Sequence, residues 1–158
     1  MLSSLLDGMK DFFLADSGVY GLIRTGTTAG VGRMYRVVAP ANCSSPWVVY
    51  RLSRAKARER RGASLMGHLC DTTVSFKFCV REPEQDATAV AALIALVGVF
   101  DEALKVASGN SLDGYRGTWG DQRVNRAIWD PDSYSEELDP KTGLLMVDMD
   151  LLINHAPS

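Results

Sequence analysis

Only two histidines and three cysteines occur in the 158 residues. An odd cysteine count does not form a disulfide framework, so Cys43, Cys70 and Cys79 are read as free thiols of a reducing compartment. Structural zinc asks for two ligand pairs, and His68-x-Cys70 is a single tight pair with Cys43, Cys79 and His155 far off in sequence. No metal or other cofactor is expected. Ser/His/Asp catalysis has only His68 and His155 to draw on, and neither sits in a nucleophile motif. The chain is therefore read as non-enzymatic.

Long apolar runs are also missing. The longest, Ala87 to Phe100, is shorter than the ~20 residues that cross a bilayer. The first helix-like stretch carries Asp7, Lys10 and Asp11, which does not suit a signal peptide. A membrane protein is not expected. The Gly-Thr segment Arg24 to Gly32 lacks the Lys-Ser/Thr of a P-loop and leads into a strand, so it is read as a surface loop.

What is present suits one domain over residues 1–158, with 46% hydrophobic and 23% charged residues. Leu2, Leu5, Leu6, Met9, Phe12 and Phe13 predict an amphipathic helix over ~2–15, stopped by Asp16-Ser17-Gly18. A short strand is expected at Met34–Val38, and another at Trp47–Ser53. Alternation of Val74, Phe76, Phe78 and Val80 with polar residues predicts a strand over ~70–81. The polar connection 54–67 then becomes the tip of a long hairpin.

A helix is expected over Asp86–Ser108, opening near Pro83 and ending at Gly109-Asn110. It is apolar around most of its circumference, a pattern that predicts burial on more than one side, by its own sheet and often by a neighbouring subunit. Gly98 interrupts it at modest cost. Leu112–Trp119 and Gln122–Trp129 flank Gly120-Asp121 as a hairpin. Asp130–Thr142 reads as an acidic loop, Leu145–Ile153 as a strand, and Ala156-Pro157-Ser158 as a frayed end. The order predicts an α+β fold: a mostly antiparallel sheet of four to five strands, two helices packed on one face, and a protruding basic β-hairpin.

Charge is unevenly placed. Residues 1–80 carry a net +6 and residues 81–158 a net −8. Arg54, Lys56, Arg58, Arg60 and Arg61 form a basic arm, and Asp130, Asp132, Glu136, Glu137 and Asp139 an acidic counterpart. A solvated loop is one reading of the arm, and contact with DNA a second. Of the two contact readings, pairing with an acidic surface of a neighbouring copy or another protein is favoured over DNA, because no aromatic residue is interleaved to stack on bases. Folding that interleaves the two halves is the first reading of the charge asymmetry; a subunit with one basic and one acidic surface, able to associate head-to-tail with its own copies, is the second. Asp148 and Asp150 lie two apart on one strand face; a solvent or subunit contact is the stronger reading, with cation binding the alternative.

A co-linear set of segments carries a resemblance. It comprises Leu14-Ala15-Asp16, Arg33-Met34-Tyr35-Arg36-Val37-Val38-Ala39-Pro40, Pro46-Trp47-Val48-Val49-Tyr50, Leu112-Asp113-Gly114-Tyr115-Arg116-Gly117 and Asp139-Pro140-Lys141-Thr142-Gly143-Leu144, with Asp148, Asp150 and His155 beyond. In this order the segments resemble the tail completion proteins of long-tailed phages, also called tail terminators or tail-to-head joining proteins. The basic connection 54–67 departs from that pattern in length and charge. It is either a lineage-specific arm or the mark of a different neck component.

The resemblance implies a homohexameric ring on the head-proximal end of the tail tube. Such a ring ends tube polymerisation and meets the head connector or adaptor. DNA would pass through its lumen without specific binding. It also implies a place in the virion tail after assembly in the host bacterial cytoplasm. Another head-completion adaptor, or a basic-armed nucleic-acid-binding module, are the alternatives.

Overall fold

A computed structural model describes residues 2–27, 30–58, 69–81 and 87–157. Three helices, α1 (Leu2–Ala15), α2 (Ser17–Ile23) and α3 (Ala87–Ala107), lie against one face of a six-stranded sheet. The strands are β1 (Met34–Arg36), β2 (Trp47–Arg58), β3 (Leu69–Arg81), β4 (Tyr115–Trp119), β5 (Gln122–Asp139) and β6 (Leu144–Pro157). Their order across the sheet is β1-β2-β3-β6-β5-β4. All pairings are antiparallel except the short edge pair β1–β2, which is parallel.

The α+β class is as expected, with a third helix and an extra strand. The extra helix comes from Asp16. It breaks α1, yet its carboxylate accepts the Val19 amide at 3.0 Å and so caps α2. A stop signal and a start signal share one residue, and only the stop was legible.

Two further expectations are corrected. The acidic segment is not a loop, because β5 runs on to Asp139 and pairs with β6 down to Leu144. A bulge between Asp130 and Ser135 absorbs the misfit residues, and Ser133 repairs the ladder there. Its hydroxyl donates to the Asp130 carbonyl at 2.6 Å and accepts the Asp150 amide at 2.8 Å. Ala156 and Pro157 are not frayed either, since they pair with Arg123 and Gln122, and Ser158 lies outside the described residues. Helix α3 buries Leu93, Leu96, Phe100, Ala103 and Leu104, with Val97 and Val99 packed against the same core, and leaves Val90 and Ile94 exposed in the single chain. The helix start around Pro83 lies outside the described residues.

The core fills the space between helices and sheet. Phe13, Phe76, Phe78 and Phe100 are fully buried there, with Leu5, Leu6 and Met9 of α1 and Val147, Leu151 and Ile153 of β6. Gly8 lets α1 close onto the β4–β5 turn, because a Cβ at that position would meet the backbone of Trp119 and Gly120.

Arg33 ties the Gly-Thr loop down. Its guanidinium donates to the carbonyls of Leu22 at 3.0 Å, Arg24 at 2.7 Å and Pro46 at 2.8 Å. The loop is thus the neck between α2 and β1. As expected, a strand and not a helix follows it.

Candidate subunit-contact site

Cross-strand partners share a face of the sheet, so the register sorts side chains directly. Val74, Phe76 and Phe78 of β3 point to the helices, and Asp71, Thr73, Ser75, Lys77 and Cys79 point to the helix-free face. Beside them on that open face stand Trp47, Val49, Arg51, Arg54 and Lys56 of β2. Met146, Asp148, Asp150 and Leu152 of β6, with Asp130, Glu137 and Asp139 of β5, complete it.

One end of this face is apolar. Trp47, Cys79 and Met146 bury one another, with Tyr35, Ala39 and Cys43 packed around them. Arg81 lies over the Trp47 ring at 5.3 Å. Burial pushes the Cys79 thiol up to about 12, so it is a packing residue with little thiolate. Val37 and Val38 overhang the cluster, and Arg51, Lys77, Asp148 and Asp150 line its polar end. The groove between them is open to solvent and about 480 Å³ in volume.

Asp148 and Asp150 do share a face, as the spacing predicts, and each has a protein partner. Asp148 approaches Lys77 at 3.8 Å and Asp150 accepts from Ser75 at 2.8 Å. Among the described residues, no group of three His, Cys, Asp or Glu side chains is placed to hold a metal ion. His68 lies outside them. No helix among the described residues is long and apolar enough to cross a membrane.

The residues singled out for contact fall on the two margins of the sheet. Arg54 and Lys56 are exposed on β2, and Arg58 is its last residue. Arg60 and Arg61 lie outside the described residues. Asp130, Asp132, Glu136, Glu137 and Asp139 all belong to β5. Asp130 is half-buried at the bulge, where it caps the Asp132 amide at 3.0 Å. Asp139 accepts the Lys141 amide at 2.9 Å, and that bond holds its carboxyl below the usual range. Tyr134 donates to Glu136 at 2.8 Å, which raises the phenol above its usual value.

Among the described residues, Arg54 and Lys56 are thus not in contact with the acidic group of β5 within one chain. β3 and β6 separate them, an interval of three strand spacings or about 14 Å. Sequence alone paired the two groups by charge. It missed that both are strand segments of one sheet, because consecutive acids mask the alternation of β5.

A second polar cluster was not anticipated. His155 is fully buried between Thr72 Oγ1 at 2.7 Å and Gln122 Oε1 at 2.9 Å. Gln122 donates its amide to Asp121 at 2.9 Å, so its oxygen faces His155 and Nδ1 carries the imidazole proton. Nε2 then accepts from Thr72. Burial holds this imidazole below its ordinary value, with Asp71 opposing weakly. The unfolded chain therefore binds the proton more readily than the folded one. Stability is full above ~6.5 and falls as pH drops from there towards the lower folded value. Melting curves from pH 8 to 5.5 should show this decline, and H155Q should flatten it.

No protein-family model matches the sequence. No curated protein matches it either. A solved chain in the virion of a native gene transfer agent particle is similar in structure, with a TM-score of 0.59 and 13% identity. The match covers 99% of this chain and 94% of that one. At that identity the likeness is one of fold, and it extends over both chains almost end to end.

Proposed function

We propose that the chain is a structural virion protein that caps the head-proximal end of a phage tail tube as a ring. The fold likeness to a chain of a virion particle over 99% of the sequence is the observation that carries the virion reading. The co-linear tail-terminator segments support the finer position within it. Of these, Pro46–Tyr50 leads into β2, Leu112–Gly117 opens β4, and Asp139–Leu144 forms the β5–β6 turn.

In this role the protein binds other proteins and carries no cofactor or catalytic group. Its partners are its own copies, six by the resemblance, together with the tail tube protein below and the head connector or adaptor above. DNA passes through the lumen without specific binding.

Deleting the gene from the phage that carries it tests the position. Loss of a terminator should leave filled heads without tails, beside tubes of uneven and excessive length in electron micrographs. Tubes of uniform length beside tailless heads would instead make the chain a neck or head-completion adaptor. Intact infectious virions would remove it from the assembly altogether.

A further inference from the structure

Each margin of the sheet is covered over only part of its length. β1 pairs with Val48 to Tyr50 of β2, and among the described residues no strand lies on the outer side of β2 from Arg51 onward. β4 pairs with β5 only as far as Ala127, so the outer side of β5 is likewise uncovered beyond that point among the described residues. The two uncovered edges differ in charge. Arg51, Arg54 and Lys56 line one, and Glu136, Glu137 and Asp139 the other.

We propose that copies of this chain join by strand pairing, the acidic edge of β5 adding antiparallel to the basic edge of β2 on the next copy. The inference rests on the ring reading and specifies its contact.

Four observations support it. The directions agree: β2 and β6 both run antiparallel to β3, and β5 runs antiparallel to β6, so β5 is antiparallel to β2. Rotation about an axis close to the strand direction preserves that relation between neighbours.

Side chains agree on both faces. Ser135, Glu137 and Asp139 share the open face with Arg51, Arg54 and Lys56 by register. On the opposite face Leu138, beside Leu145, would meet Leu52, beside Val74. These two leucines are 43% and 37% exposed, which is costly for isolated edges and useful for a covered one.

Charge selects the mode of pairing. Basic against basic and acidic against acidic both repel, so two-fold pairing of like edges is opposed and the heterologous contact remains. Heterologous contacts are the ones that close into rings.

The stagger is compatible with closure. Arg54 is level with Leu152 of β6 and Glu137 with Met146, an offset of six residues (146 to 152). At ~3.4 Å per residue that is about 20 Å, and four strands at ~4.8 Å span about 19 Å. Strands tilted by about 45° to the ring axis cancel the offset, close to the ~35–45° usual in closed sheets.

The test is charge exchange in the full-length protein, read by native mass spectrometry and by electron microscopy of the same samples on tail tubes. R54E/K56E and E137K/D139K should each shift the assembly from ring to monomer, with melting curves close to wild type. The quadruple variant should recover the ring, because exchanged charges again attract. Assembly that survives either double variant would overturn the pairing, as would a quadruple variant no better than the doubles. If those variants still cap tubes, the terminator reading stands and only the contact is wrong. Wild-type protein that forms no oligomer alone or on tubes sinks the terminator reading and this contact together.

Discussion

Phe76→Ala is expected to lower the stability of the folded chain by about 4 kcal/mol, the usual range for a fully buried phenylalanine. Its ring sits among five others. Trp129 lies at 5.1 Å, Phe13 at 5.8 Å, Phe78 at 6.0 Å, Phe100 at 6.1 Å and Tyr50 at 6.2 Å. These rings come from α1, α3, β2, β3 and β5, so the void cannot be filled by one element moving inward. In a chain of this size the loss lowers Tm by on the order of 10 °C. Ile94→Ala on the exposed side of α3 is the control and should stay within ~0.5 kcal/mol. A Phe76→Ala loss below ~1 kcal/mol would mean that this cluster is not the centre of the core.

Gly8→Ala should destabilise the chain by more than ~2 kcal/mol, although helix propensity alone predicts a gain of up to ~1 kcal/mol. The sign itself is diagnostic. The added methyl meets backbone atoms of Trp119 and Gly120, which cannot rotate away as a side-chain tip would. Gly120 is itself held at φ 62°, and Ser4 accepts the Asp121 amide at 2.8 Å, so the turn beneath α1 has no room to withdraw. Gly98→Ala is the matched comparison. Nothing lies within 4 Å of a Cβ there, so the ordinary propensity gain of ~0.5–1 kcal/mol should appear. Paired denaturation curves separate the two cases. A stabilised Gly8→Ala would show that α1 does not pack on the β4–β5 turn as described.

Legibility followed the strength of local periodicity. α1, β3 and the C-terminal end of α3 were readable to within about a residue, because Leu5-Leu6-Met9-Phe13 and Val74-Phe76-Phe78-Val80 carry unmixed periods of burial. β5 was readable only to Trp129. Beyond it, a bulge shifts the alternation and both faces are wet, so acids stand at successive positions with no apolar row to mark a strand. β6 was clear in its middle and lost at its end, where the inward residue is His155. A histidine does not read as core until Thr72 and Gln122 are seen to satisfy it. α2 was hidden because its seven residues include two glycines and its cap had been taken as a stop.

The contact residues show the same division. Residue types were visible in sequence, but their arrangement was not. A basic arm and an acidic loop were expected, and the fold turns the described part of each into an uncovered strand edge. The Trp47–Cys79–Met146 cluster had a faint signal in the apolar Met146 on the outward row of β6. No single-strand pattern links it to Trp47, because that contact is made through β3.

Closure of tail tubes by a ring of this chain is the proposal on which the partners and the strand contact both depend. The most direct test is electron microscopy of the purified protein, alone and mixed with assembled tail tubes of its phage. Rings, and caps of ring dimensions at one end only of each tube, are the expected result. Monomers that leave both tube ends bare, or that coat the tube along its length, would contradict it.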